Sequence, residues 1–240
     1  IYNALGANVV SFPYGPMPTQ PLGWYKRVVT KPDDFKGMKF RTVGISIDLF
    51  QGMGASVNAL SAAEIVPALD RGLIEAAEFN NASSDRALGF QDVAKICRLQ
   101  SYHQNAEQFE VLFNKTKFDA LPDKMKAIIA YASDAASADM SWKAIDRYSK
   151  DYVEMQTKDK VRFYRTPDSI LQKQLEVFDQ VEAKKSAENP TFKEVAESQR
   201  AFAARAVKWD LDTNVSRRMA YNHYFAKTAA KPAAPAAKKS

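Results

Sequence analysis

The chain has few of the residues from which hydrolases and metalloenzymes are usually assembled. It contains two histidines, His103 and His223, far apart, and a single cysteine, Cys97. An internal disulfide is therefore impossible. A lone cysteine inside the apolar run Val93 to Leu99 reads as a packed small hydrophobe. Such low cysteine usage is compatible with an oxidising compartment without requiring one. No run approaches the ~18 apolar residues of a membrane-spanning helix. There is no GxSxG, no HExxH and no glycine-rich phosphate loop. Glu78 and Glu110 could be paired as acid and base, but no nucleophile or positioned base accompanies them, so an enzyme is not expected. The chain opens at Ile1 with no signal-peptide pattern, which reads as a cut start.

What is present points to a globular α/β protein. The chain has 240 residues, enough for one large domain or two small ones, and 46% are hydrophobic, enough for a core. Its formal net charge is +6, but Lys227, Lys231, Lys238 and Lys239 crowd into the last residues, and without them the body carries about +2. The basic character thus belongs largely to an Ala/Pro/Lys-rich tail, 227–240, whose composition predicts disorder. Such a tail could coat DNA through phosphate contacts, and a basic-tailed nucleic-acid-associated protein is the alternative of another class. The body lacks a recognition module, so no nucleic acid is expected as partner.

Val9 to Pro16 reads as a short strand stopped by turn residues, and Gly23 to Val29 as an extended piece. Lys31 to Gly37 makes a helical turn. Met38–Val43 is a strand, Ile47 to Met53 a helix, and Ser56 to Ala59 a short strand. Ser61-Ala62-Ala63-Glu64 is a capping box that opens a helix running to Arg71 and closed by Gly72. Leu73–Glu78 is the next strand. Ser84 to Gly89 is a further turn of helix; Ile96 to Leu99 and Phe109 to Phe113 have strand composition. A long helix is predicted from Leu121 to about Gln156, followed by a strand over Lys160 to Arg165. Thr166 and Pro167 start a helix reaching about Ala187. Asn189-Pro190 breaks it, and one last helix is predicted over Thr191–Tyr224.

Two charged residues stand out in this plan. Arg41 and Glu78 each lie near the end of an apolar strand, where an uncompensated charge is costly. The strand–helix–strand unit between them would place both at strand carboxyl ends, where open α/β sheets bind ligands. Arg is suited to a carboxylate because its planar fork stays charged and matches the two oxygens. The alternative is a strand-edge Arg with its head in water.

Pro32-Asp33-Asp34-Phe35-Lys36-Gly37-Met38-Lys39-Phe40-Arg41 resembles the "DDLKGLKxR" segment of TRAP-transporter solute receptors. Pro67-Ala68-Leu69-Asp70-Arg71-Gly72-Leu73-Ile74-Glu75-Ala76-Ala77-Glu78 resembles their "xALxxGxIDAxE" segment. Leu88-Gly89-Phe90, Phe113-Asn114-Lys115 and Asn189-Pro190-Thr191-Phe192-Lys193 also match, in order. The pattern is most similar to the branch of α-keto-acid, lactate and haloaromatic-acid receptors. The resemblance implies a two-domain α/β clamshell of the periplasmic-binding-protein kind, with mostly the second domain present and long C-terminal helices. The expected organisation is 1–10 as the end of the first domain, 11–78 as the second, and 79–109 as a return to the first. It continues with 110–165 in the second and 166–226 as long helices available for dimerisation.

The resemblance also assigns roles. Arg41 would form a bidentate salt bridge to a small organic acid. Glu78 and the backbone at Phe79 would hold a metal, Na⁺ or Ca²⁺, that bridges to the ligand. Gln20, in Pro18-Thr19-Gln20-Pro21-Leu22-Gly23-Trp24, matches the Gln of "GxQxxGW", which contacts ligand and metal. The keto-acid receptors have Trp after the Glu and a further acidic ligand in a "WEGGP" segment; here Phe79 and Tyr102-His103-Gln104-Asn105-Ala106 stand instead. Gln104 falls on the acidic position by ungapped counting. A neutral amide there means a weaker metal, a substitute such as Glu107, or no metal. Asn80, Tyr102 and His103 are expected to tune ligand choice. The implied function is a periplasmic receptor delivering a 2-oxo or 2-hydroxy acid to a TRAP membrane permease, acting as a homodimer through the C-terminal helix. An aromatic acid or a dicarboxylate is the alternative ligand.

Overall fold

The computed structural model describes residues 1–17 and 20–226, so the basic tail and Pro18-Thr19 lie outside the described residues. The chain forms two compact units, Ile1–Lys185 and Ser186–Ser240. In the first, two sheets form. β1 (Val9–Met17) pairs antiparallel with β7 (Glu107–Asn114) as a two-stranded ribbon. Prolines 13 and 16 sit within β1 rather than ending it. A two-stranded ribbon leaves one edge of each strand unpaired, and a register shift between Tyr14 and Pro16, at Gly15 with φ +62°, absorbs the irregularity.

The second sheet holds six strands in the order β4 (Ser56–Asn58), β3 (Lys39–Arg41), β5 (Ala76–Ala77), β2 (Gly23–Tyr25), β6 (Ile96–Arg98), β8 (Arg162–Tyr164). β3 runs parallel to β4 and β5, β6 parallel to β8, and β2 is antiparallel to both β5 and β6. Residues 79–109 thus contribute β6 to the same sheet as β2, β3 and β5. Gly23 is needed where β2 crosses β5: a Cβ there would stand 2.9 Å from the Ala77 carbonyl oxygen.

Side chains alternate across this sheet with period two. Tyr25, Phe40, Ala76 and Ile96 join a core with Phe35, Phe50 and residues Ile170, Val177 and Val181 of α7 (Asp168–Glu188). Trp24, Ala77 and Cys97 face the opposite core, with Ile65 and Leu69 of α2 (Ala62–Asp70), Phe90 and Met155. Cys97 is a buried hydrophobe, as its apolar surroundings predict. Helices therefore cover both faces. α1 (Ser46–Gly52) and α7 cover one; α2, α4 (Phe90–Val93) and α6 (Asp123–Thr157) supply the other.

The α2 start follows the expected capping box: Glu64 accepts from the Ser61 backbone N–H at 2.9 Å and from its hydroxyl at 2.6 Å. α3 (Ala82–Leu88) begins two residues earlier than the sequence suggests, because the Asn81 side chain caps it through the N–H groups of Ser83 and Ser84. Arg86 of α3 then reaches Asp151 at 3.3 Å and Glu154 at 2.9 Å on α6, and Asp159 at 2.9 Å beyond it. A short α5 (Lys115–Asp119) follows β7.

The second unit contains α8 (Pro190–Thr213) and α9 (Arg217–Tyr224). The single helix predicted over Thr191–Tyr224 is broken at Asn214 to Ser216. Asn214 turns extended, and the Ser216 hydroxyl accepts from the Met219 N–H at 3.2 Å. Thr213, Asn214 and Val215 are weak helix formers, and Ser216 offers the backbone a competing cap.

Candidate functional site

The parallel pairing of β3 with β5 places Arg41 opposite Ala77, one residue before Glu78. Both strands end at the same edge, so the two charges meet there. Arg41 Nη1 donates to the Glu78 carbonyl oxygen at 2.7 Å and to its Oε1 at 3.1 Å, and Nε donates to the Leu60 carbonyl at 3.0 Å. Leu60 lies in the link between β4 and α2, so one guanidinium ties together three segments. Phe79 lies beneath it, 5.8 Å from Cζ to ring centroid. Arg41 is 4% and Glu78 1% exposed. Burial pulls the Arg41 pKa down and the Glu78 carboxylate opposes that, leaving a group that is charged at any ordinary pH. Three N–H groups are thereby committed. Those on Nη2 have no partner among the described residues, so the bidentate fork expected for a ligand is reduced to one nitrogen while Glu78 holds the other.

Gln20 is fully buried. Its Nε2 donates to Glu78 Oε2, and its backbone N–H donates to the Gln104 carbonyl at 3.1 Å. Gln104 therefore reaches this neighbourhood through its backbone. A cation held by Gln20 and Glu78 together would need the amide turned so that oxygen faces the carboxylate. The available donors are hard oxygens: the Glu78 carboxylate, the Gln20 amide and the Phe79 carbonyl. They fit Na⁺ or Ca²⁺ with one formal negative charge. Among the described residues, no group of three or more His, Cys, Asp or Glu gathers into a metal cluster. Glu107, at the start of β7, has its pKa raised by burial and by the Glu78 charge, with His103 acting against both.

His103 is close to the same carboxylate, its Nε2 3.9 Å from Glu78 Oε2, with no exposed side-chain surface. Its ring stands edge-on to Phe50, centroids 5.5 Å apart. Tyr102, which is 49% exposed, faces elsewhere. It lines, with His103 and Gln174, a pocket of about 270 Å³ between α1 and α7 whose apolar walls include Leu49, Leu175 and Phe178. Arg41, Glu78 and Gln20 do not line this pocket. The Asn80 side chain accepts from Asn81 Nδ2 at 2.6 Å, and its backbone N–H is held at 3.1 Å by Asp85 Oδ1.

Sequence reasoning missed three participants. Asp85 is wholly buried and also accepts from Trp24 Nε1 at 2.8 Å; burial pushes its pKa up to about 7. Its signal was its place four residues after the capping Asn81. Ser101, two residues before His103, and Gln174, 72 residues from Tyr102, hold His103 and Tyr102; no motif singled out either of them.

The chain belongs to the bacterial extracellular solute-binding proteins of family 7, which it matches over residues 2–189; these are transport receptors and not enzymes. Among its relatives is a monocarboxylate 2-oxoacid-binding periplasmic protein of Nostoc, 26% identical over 85% of this chain and 56% of that protein. The chain thus spans about half the length of the curated relatives it matches. Solved structures give the fold. A TRAP periplasmic solute-binding protein of Pseudoalteromonas atlantica with bound sodium and pyruvate is 23% identical, covering 89% of this chain and 67% of that one, with a TM-score of 0.75. A TRAP solute-binding protein of Bordetella bronchiseptica, a mixed-occupancy dimer with copurified calcium and picolinate, is 22% identical over 95% of this chain and 66% of that one, with a TM-score of 0.85. The architecture is that of the TRAP periplasmic binding proteins. No helix among the described residues is long and apolar enough to cross a membrane.

Proposed function

We propose that this chain acts in the periplasm as the solute receptor of a TRAP transporter, capturing a small monocarboxylate, a 2-oxo or 2-hydroxy acid, for the membrane permease. The observation that carries the reading is the buried Arg41–Glu78 pair at the shared edge of β3 and β5. A pair that is neutral as a unit does not attract an anion strongly. Adding a carboxylate makes the site net negative in a place shielded from water, where the cost of an unpaired charge is high. A cation bound with the ligand restores the balance. In this reading Glu78, the Phe79 carbonyl and a turned Gln20 amide hold Na⁺ or Ca²⁺, and Arg41 Nη2 takes the ligand carboxylate. The names of the Nostoc relative and of the pyruvate-bound Pseudoalteromonas structure support a 2-oxo acid. Picolinate in the Bordetella structure keeps an aromatic acid as the second reading, for which Phe79 offers a flat wall.

The test is thermal stabilisation by pyruvate, lactate, picolinate and succinate, each with and without Ca²⁺ and Na⁺. Mass action makes a tight ligand shift the melting temperature in proportion to the logarithm of its concentration over Kd. Cation-dependent stabilisation by pyruvate or lactate is the expected outcome. Stabilisation by picolinate alone would move the assignment to aromatic acids, by succinate alone to dicarboxylates, and none at all would leave fold without function. We further propose that the second unit pairs two copies, since α8 exposes Phe202, Val207, Trp209 and Leu211. A monomer mass by light scattering would end that proposal.

A further inference from the structure

The hydrogen bonds around His103 fix more than its position. Gln174 Oε1 accepts the Tyr102 backbone N–H at 3.0 Å, which sets the amide so that Nε2 faces Ser101. Ser101 Oγ accepts from Gln174 Nε2 at 2.8 Å and from the His103 backbone N–H at 3.2 Å. A hydroxyl has two acceptor lone pairs and one proton. Both lone pairs are used, so the remaining proton points along the 2.5 Å contact to His103 Nδ1. Nδ1 is then an acceptor, and the proton of the neutral imidazole lies on Nε2. That nitrogen is buried, has no hydrogen-bond partner among the described residues, and stands 3.9 Å from Glu78 Oε2, too far to donate. A buried N–H without an acceptor is uncommon and asks what it serves.

We infer that His103 is a fixed Nε2–H donor for the oxygen next to the ligand carboxylate, and that it selects acids carrying such an oxygen. The inference rests on the capture reading above. Arg41 Nη1 and His103 Nε2 stand beside the two oxygens of one carboxylate, that of Glu78, so His103 lies in the same neighbourhood as the Nη2 that would seat a short acid, within which its 2-oxygen would find the free donor. A 2-oxo group is a pure acceptor there, and a 2-hydroxyl also accepts. The same proton placement removes Nε2 as a metal ligand, because a metal needs its lone pair. Ser101 and Gln174 are positioning residues that set the tautomer.

Two measurements on the full chain test this. Long-range proton–nitrogen spectra read the tautomer directly, and with two histidines a His223→Gln variant identifies the His103 signals. Protonated Nε2 with bare Nδ1 is expected, lost in Ser101→Ala and kept in Ser101→Thr; protonated Nδ1 overturns the inference. Titration with pyruvate and with propionate, which lacks the 2-oxygen, in the presence of Ca²⁺ reads the role. His103→Phe should weaken pyruvate on the order of tenfold and leave propionate nearly unchanged, and His103→Gln should recover part of the loss. An unchanged pyruvate-to-propionate ratio in His103→Phe, with pyruvate still bound, defeats this inference and leaves the capture reading standing. Failure of the wild-type chain to bind pyruvate defeats both.

Discussion

Arg41 Nη1 lies 3.1 Å from Glu78 Oε1, with both side chains almost fully removed from water. A buried pair of this kind gives little net stability, yet breaking it exposes the full cost of the charge left behind. Glu78→Ala should therefore destabilise the fold by roughly 3–5 kcal/mol, and Arg41→Met by a comparable amount. The double variant Arg41→Met with Glu78→Ala should lose far less than the sum. Urea denaturation of the four proteins completes the cycle, and additive losses would show that the two charges do not depend on one another.

Asp85 links stability to pH. Its pKa of about 7 belongs to the folded state, against an ordinary 3.8, so the folded chain holds the extra proton between these values. Stability on this account is fullest below 3.8 and is lost as the pH rises to about 7, by near 4 kcal/mol in total. Asp85→Asn abolishes the titration while placing an amide N–H against Trp24 Nε1 or the Asn80 N–H, so it is less stable in acid. The wild-type advantage over Asp85→Asn should shrink between pH 5 and 8. Parallel stability profiles would contradict a titrating Asp85.

Gly52 of α1 packs against Val177 of α7. A Cβ there would run into Val177 Cγ1. Gly52→Ala should overpack this contact and lower stability by about 1–3 kcal/mol, which exceeds the usual helical gain of Ala over Gly. Adding Val177→Ala should recover part of the loss. A stabilising Gly52→Ala would mean that α7 shifts without penalty.

Arg86 joins α3 to α6 through Asp151 and Glu154 and to the segment after α6 through Asp159, and Asp151 is itself buried. Removing Arg86 by Arg86→Ala should cost about 1–2 kcal/mol, more than a solvent-exposed pair, because among the described residues Asp151 then keeps only the exposed Arg147 as counter-ion. Hydrogen exchange should show α3 losing protection first; uniform loss across the first unit would point to a global effect.

Much of this was legible locally. The Ser61–Glu64 box located the start of α2, and the apolar runs Met38–Val43 and Leu73–Glu78 gave two strands, which the structure shortens to Lys39–Arg41 and Ala76–Ala77. Local signals could not supply register. That Arg41 faces Ala77, and so binds Glu78 directly, follows from pairing across 36 residues of chain, and the Gln20 bond to Glu78 spans 58. β5 is confined to Ala76–Ala77, with the Glu75 and Glu78 N–H groups on its flanks donating to the Lys39 and Arg41 carbonyls of β3. The prolines of β1 did not hide the strand expected from Val9 to Pro16, because they argue against a strand only where both edges are paired. Gln174 was invisible for the same reason as the register, because its partners Ser101 and Tyr102 lie more than 70 residues away.

The most direct measurement is calorimetric titration of pyruvate into the folded chain at two Ca²⁺ concentrations, for wild type and for Arg41→Lys. If ligand and cation must enter together to balance the Arg41–Glu78 pair, pyruvate affinity rises with Ca²⁺, and Ca²⁺ affinity rises with pyruvate by the same factor. Arg41→Lys, which keeps the charge but loses the fork, should weaken pyruvate roughly tenfold or more. Pyruvate binding that ignores both the cation and the Lys substitution would contradict the account.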